Sequence, residues 1–100
     1  MAALLLVAAI CPVAAQDLGD VATGRRLAET WCGECHTVTP TRMREVRRVP
    51  TFNAIADMTS TTPLSLRAFL QTPHDKMPDL HLNHDETDDL IGYILSLRGR

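Results

Sequence analysis

Apolar residues recur at helical spacing in three stretches of this 100-residue chain. The first stretch covers residues 21–31, and Asp20, directly before it, is a typical N-cap residue. One side of this predicted helix carries small or apolar residues three or four positions apart: Val21, Gly24, Ala28 and Trp31. A glycine inside a helix costs up to about 1 kcal/mol relative to alanine. We therefore expect Gly24 to let another backbone approach closely.

Two further helices are predicted in the C-terminal half. The second begins at Thr62-Pro63, since proline at the first helical position sacrifices no hydrogen bond, and Pro73 stops it. Asn83 and Glu86 form the sequence pattern of a capping box at the start of the last helix, which ends near residue 99. This helix buries an apolar face that consists of Leu90, Ile91, Ile94, Leu95 and Leu97, with Tyr93 beside them.

The segments between these helices are predicted to be loops. Residues 37–59 contain prolines and polar residues without a regular period, apart from a helical turn near residues 52–56. Residues 72–82 form the second loop. No stretch alternates with period two over a useful length. The predicted fold class is therefore all-α, with three main helices.

The length of the chain allows one domain and a small core. The apolar fraction of 45% and the charged fraction of 22% are typical of a soluble globular protein. A domain of this size buries only about 60% of the surface that its unfolded chain exposes. Small domains commonly gain the missing stability from a disulfide, a metal or a cofactor, so we expect one of these here.

The N-terminal residues resemble an export signal. Residues 4–10 form an apolar run that is too short to span a bilayer, and small residues follow before the polar stretch that begins at Gln16. No Lys or Arg precedes the run, which is atypical. We interpret residues 1–15, with Cys11, as a signal peptide and residues 16–100 as the mature domain, which predicts a periplasmic location.

The charges are unevenly distributed around a net charge of −2, which argues against a general nucleic-acid binder. Four arginines crowd one short stretch and four acidic residues crowd another: Arg42, Arg44, Arg47 and Arg48, and Asp85, Glu86, Asp88 and Asp89. They are either two solvated faces or a docking surface that orients a charged partner.

The strongest chemical signal is the pattern CxxCH at residues 32–36, which is typical of covalent haem attachment. Cys32 and Cys35 are one helical turn apart, so both thiols can reach the vinyl groups on one side of a porphyrin. His36 follows directly and can offer a nitrogen to the iron. A thioredoxin-like redox pair, a zinc site and a small disulfide loop are the alternatives. The first belongs with a βαβ pattern, the second needs four ligands, and the third would stabilise little.

A second axial ligand has to come from elsewhere in the chain. Met77 lies in a predicted loop between polar neighbours and Pro78, a poor setting for a core residue. His74 is the rival, which would make the haem bis-histidine and lower its reduction potential relative to Met/His ligation. The other candidates are Met43, Met58, His81 and His84; we expect Met58 to pack inside and the two histidines to be exposed.

The CxxCH pattern and the Met77-Pro78 pair are both found in class I cytochromes c, and the chain resembles that family over nearly all of its predicted mature part. Gly24 stands eight residues before Cys32, as the helix-contact glycine does in that family, and Leu90 and Tyr93 resemble its partners on the last helix. The resemblance implies that the first and last helices cross at Gly24. Residues 49–52 resemble the family segment whose proline carbonyl accepts a hydrogen bond from the proximal imidazole, which implies that Pro50 orients His36.

The resemblance implies a monomeric cytochrome c fold around one haem c, with His36 and Met77 as axial ligands. The implied function is one-electron transfer, without enzymatic activity, between a dehydrogenase or membrane oxidoreductase and an oxidase or other acceptor. A haem-based sensor and a dedicated haem subunit of an oxidoreductase are the alternatives. The chain departs from the family at Ala28, where many members carry an aromatic residue, and lacks a tryptophan between Phe52 and Met77. It also lacks the lysine ring of mitochondrial members.

Overall fold

The computed structural model describes residues 19–74 and 76–100, which form four helices and one two-stranded sheet. In chain order these are helix α1 (Val21–Trp31), strands β1 (Glu45–Val46) and β2 (Val49–Pro50), and helices α2 (Phe52–Asp57), α3 (Pro63–Leu70) and α4 (His84–Ser96). The predicted signal peptide of residues 1–15 lies outside the described residues. The expectation of a helical domain is confirmed, although a small sheet and a fourth helix join the three main helices. None of the helices described is long and apolar enough to cross a membrane.

Each of the three main helices begins where the sequence predicts. The Asp20 carboxylate accepts a hydrogen bond from the backbone N–H of Thr23 and caps α1. At α4, the Asn83 side chain accepts from the Glu86 N–H at 2.8 Å while the Glu86 carboxylate accepts from the Asn83 N–H at 3.1 Å. This reciprocal pair is the predicted capping box. Helix α3 has its own capping box and ends at residue 70, three residues before the proline that was expected to stop it.

Helices α1 and α4 pack against each other at Gly24. A Cβ atom built on Gly24 would lie 1.9 Å from the backbone oxygen of Asp89 and 2.8 Å from the Cβ of Tyr93. No side chain fits there, so the close approach requires glycine at this position. The predicted crossing of the first and last helices at Gly24 is therefore confirmed. Of the other residues on the predicted side of α1, Ala28 is buried, whereas Trp31 is 57% exposed.

The core lies between α4 and the shorter helices. Leu90 and Ile91 of α4 and Leu97, its C-cap residue, are almost fully buried, as predicted, whereas Leu95 is only partly buried. The buried side chain of Asn53 on α2 joins the chain end to the loop before the sheet, since its amide nitrogen donates to backbone oxygens of residues 97 and 100 and its oxygen accepts from the N–H of residue 41. Buried polar groups of this kind need such partners.

Strands β1 and β2 form a short hairpin that was not predicted from the sequence. The strands pair antiparallel, with Glu45 opposite Pro50 and Val46 opposite Val49. The two turn residues, Arg47 and Arg48, have φ values of 54° and 60°. A two-residue turn with both φ values positive usually carries Asn-Gly or a similar pair, and two-residue strands have no measurable period. Each left-handed arginine costs about 1 kcal/mol or more.

Candidate functional site

The CxxCH residues form one turn at the C-terminal end of α1. Cys32 is the C-cap of the helix, and its N–H donates to the backbone oxygen of Ala28 at 2.9 Å. The oxygen of Cys32 then accepts hydrogen bonds from the N–H groups of Cys35, at 3.2 Å, and His36, at 2.9 Å. The chain therefore keeps a helix-like turn through His36, and both cysteines and the histidine are placed on one turn.

The two thiols lie in different environments. Cys32 is only 6% exposed, whereas Cys35 is exposed, and both are free in the structure. Burial raises the pKa of the Cys32 thiol to about 11. A dithiol redox catalyst needs a thiol with a lowered pKa, commonly at a helix N-terminus, where the dipole favours the thiolate. Cys32 has the opposite surroundings, which disfavours the thioredoxin-like alternative.

The imidazole of His36 is held in one orientation by Pro50. Nδ1 of His36 lies 2.7 Å from the backbone oxygen of Pro50, which is the contact that the family resemblance implies. Because a carbonyl oxygen can only accept, Nδ1 carries a proton, and in the neutral ring Nε2 then keeps its lone pair. The ring also packs against Phe52, with centroids 5.4 Å apart. The side chain is thus fixed with one nitrogen available as a metal ligand.

Hydrogen bonds to Thr51 hold the accepting carbonyl in place. The N–H of Thr51 donates to the backbone oxygen of Arg44 at 3.1 Å, and its hydroxyl donates to the backbone oxygen of Met43 at 3.0 Å. The same hydroxyl accepts from the N–H of Ala54 and caps α2. Thr51 is fully buried. Thr51 was not among the predicted site residues, although a threonine before a helical turn is a typical capping signal.

The residues that follow His36 are anchored to two helices. The backbone oxygen of Thr37 accepts from the N–H of Phe52 at 3.0 Å, at the start of α2. The backbone oxygen of Val38 accepts a hydrogen bond from the hydroxyl of Tyr93 on α4. Both sides of the contact between His36 and Pro50 are therefore attached to the helical core, which limits how far the imidazole can rotate.

Met77 lies in the loop between α3 and α4, as predicted, and is half-buried. It lines a small cavity together with His74, Phe69 and Leu80, and this lining includes none of the CxxCH residues. The imidazole of His74 packs on Phe69 with ring centroids 3.7 Å apart, and its Nδ1 contacts the backbone oxygen of Thr72. Both candidates for the second ligand therefore share one cavity.

The remaining candidate ligands lie on the surface. Met58 is 50% exposed at the C-cap of α2, so the expectation that it packs inside is wrong. The peptide chain leaves the helix at this residue in an extended conformation, which turns the side chain away from the core. Met43 is also exposed, and the expected exposure of His81 and His84 is confirmed.

The residues of the site fit a haem better than they fit an isolated metal ion. Two thiols and an imidazole with a free Nε2 share one turn, which is the donor set that covalent haem attachment requires. Within the described ranges, no three side chains of the His, Cys, Asp and Glu types come together as a metal-binding group. A zinc site of four protein ligands therefore has no support in this part of the chain.

Comparison of the chain with protein-family models, with curated proteins and with solved structures finds no significant match in any of the three. The function is therefore inferred from the residues of the site and their geometry.

Proposed function

We propose that this chain is a periplasmic monohaem cytochrome c with the class I fold, which carries single electrons between redox partners. The observation that carries the proposal is the hydrogen bond from Nδ1 of His36 to Pro50, next to two free thiols on the same turn. An imidazole whose Nδ1 is engaged by a carbonyl is prepared to bind a metal through Nε2.

The roles of the residues follow from their positions. Cys32 and Cys35 would hold the haem through two thioether bonds, His36 would be the proximal ligand, and Met77 the second ligand. The haem supplies reversible one-electron chemistry. If His36 and Met77 both bind the iron, no position would remain for a substrate, so we propose a carrier without enzymatic activity of its own. The thioether of Met77 would raise the reduction potential relative to a second imidazole.

The packing of the helices supports the same assignment. The crossing at Gly24, with Tyr93 on the facing helix, agrees with the helix contact that the family resemblance implies. The hydroxyl of Tyr93 also donates a hydrogen bond to the backbone oxygen of Val38, two residues after His36. The helix crossing and the candidate ligand are thus connected through one side chain.

The proposed partners are redox proteins, namely a dehydrogenase or membrane oxidoreductase as donor and an oxidase or other protein as acceptor. The periplasmic location depends on the signal peptide proposed for residues 1–15. We propose a monomer, because a single haem with protein ligands from one chain needs no second copy.

The proposal is tested by expressing the chain with and without a haem-maturation system. We expect a red protein only with that system, and a pyridine haemochrome spectrum with the band position of haem c bound by two thioethers. The Cys35→Ala variant is the matched control, and we expect it to yield little stable holoprotein, with a band position shifted towards that of a single thioether. A folded wild-type chain that stays colourless with the maturation system present would refute the proposal.

A further inference from the structure

We propose that residues 42–50, which are the β1–β2 hairpin and the three residues before it, form the docking surface for a redox partner whose own surface carries carboxylates. This inference rests on the proposed electron-carrier function and adds to it the place and the chemistry of the contact. We call this segment the arginine hairpin, and its arginines are Arg42, Arg44, Arg47 and Arg48.

The arginine hairpin is a positive region on a negative protein. Its four arginines and one glutamate give it a charge of +3, so the rest of the chain carries −5 within the total of −2. All four arginines are exposed, and within the described part of the chain none of them forms an ion pair with a carboxylate. No described carboxylate therefore neutralises their charge, which remains available to a partner.

The backbone of the hairpin presents two of these charges in a costly conformation. Arg47 and Arg48 both adopt the left-handed region, which asparagine and glycine occupy at lower cost. Two long cationic side chains at these positions do not help the turn to form. An observed backbone strain of this kind motivates a functional explanation, and the display of two guanidinium groups at the tip of the hairpin is one.

The arginine hairpin is attached directly to the candidate site. The guanidinium of Arg47 donates to the backbone oxygen of Glu34, inside the CxxCH turn, at 3.3 Å. At the other end of the hairpin, the carbonyl of Pro50 accepts from His36. A partner bound to the hairpin would therefore lie against the same edge of the molecule as the proposed haem, where electron exchange requires it.

The arginine side chains indicate the chemistry of the partner. A guanidinium group binds a carboxylate with two parallel hydrogen bonds, which gives orientation as well as attraction. The rest of the chain carries a net negative charge. That charge would repel an anionic membrane or a nucleic acid, because such a surface extends beyond the hairpin. A protein with a local patch of Asp and Glu needs to contact the hairpin alone.

The test uses poly-L-glutamate as the probe, titrated into the purified full chain by calorimetry at about 20 and about 200 mM salt, since charge interactions reach further at low salt. Two double variants remove two charges each from the hairpin, Arg42→Gln with Arg44→Gln and Arg47→Asn with Arg48→Gly. The matched control removes two charges from the exposed face of α1, Arg25→Gln with Arg26→Gln.

We expect each hairpin variant to raise the Kd for poly-L-glutamate about fivefold or more at low salt, and the control to raise it less than about twofold. The Arg47→Asn/Arg48→Gly variant is expected to melt at the same or a higher temperature, because Asn-Gly suits the left-handed turn. Weaker binding at unchanged or improved stability would show that the arginines serve binding.

Three outcomes would overturn the inference: no binding of the wild-type chain at low salt, an equal loss in the control variant, or hairpin-dependent binding to phosphatidylglycerol vesicles without binding to poly-L-glutamate. The haem spectrum of the same samples separates the two proposals. A red protein that ignores poly-L-glutamate refutes only the docking surface, whereas a colourless protein refutes the cytochrome assignment whatever the probe does.

Discussion

The substitution Gly24→Ala tests the helix crossing most directly. It adds one methyl group at the point where α1 meets α4. That methyl carbon would lie 1.9 Å from the backbone oxygen of Asp89, 2.6 Å from its carbonyl carbon and 2.8 Å from the Cβ of Tyr93. Since real Cβ atoms essentially never come within 3.0 Å of a heavy atom outside their own stretch of chain, the helices must separate by roughly 1 Å at this point.

Two opposing effects determine the size of the change. Alanine is the better helix former and stabilises α1 by about 1 kcal/mol relative to glycine. Overpacking costs about 1–3 kcal/mol or more, and here the cost falls at the upper end because the obstacle is a backbone carbonyl that no rotamer change can move. We therefore expect the free energy of unfolding to fall by about 2 kcal/mol. For a domain of this size that corresponds to a fall in Tm of roughly 10 °C.

The assay is urea unfolding followed by far-UV circular dichroism on the purified chain. The control is Ala22→Gly, at an exposed position of the same helix, where no packing is at stake. We expect the control to lose about 1 kcal/mol or less, which measures the helix propensity alone. A Gly24→Ala variant as stable as the wild type, or more stable, would show that the two helices do not meet as the structure has them.

Three further predictions concern a hydrogen bond, an ion pair and the second ligand. Tyr93→Phe is expected to lower the free energy of unfolding by about 1 kcal/mol in the same assay, because the backbone carbonyl of Val38 loses the hydroxyl that donates to it. An unchanged value would contradict this hydrogen bond. The hydrogen bond and charge of Arg67 hold the pKa of Asp88 below its usual 3.8, so the stability this contributes is present at neutral pH and lost as the pH falls through the lowered value. Acid titration should therefore destabilise the wild type more steeply than Asp88→Asn, and parallel curves would argue against this linkage. Met77→Ala is expected to lower the reduction potential and to let the reduced protein bind carbon monoxide; an unchanged potential and spectrum would transfer the assignment to His74 or another residue.

The local signals in the sequence predicted the helices well. Asp20 before α1 and the pair of Asn83 and Glu86 at α4 act within one turn of the chain, so their effect does not depend on the rest of the fold. The same holds for Thr62-Pro63 at the start of α3. The helical turn expected near residues 52–56 forms as α2.

The failures share a different cause. The hairpin consists of two strands of two residues each and a turn that arginines occupy against their preference. Strands this short show no alternation of apolar and polar residues, and the turn lacks the usual Asn or Gly, so the sequence pattern did not predict the hairpin. Met58 was expected inside because it is apolar, yet its burial depends on the direction in which the chain leaves α2. The sequence also gives no indication that Asn53 would join residues 41, 97 and 100.

For the site, the sequence by itself determined which chemical groups are present and that two thiols and an imidazole share one turn, because these relations act over a few residues. The tertiary structure decided what those groups face. It brings the carbonyl of Pro50, fourteen positions along the chain, to Nδ1 of His36, buries Cys32 and leaves Cys35 exposed. It also places the backbone of Asp89 against Gly24, beside the Tyr93 that the family resemblance implied. Such contacts depend on how the whole chain closes around its core, and local spacing does not encode them.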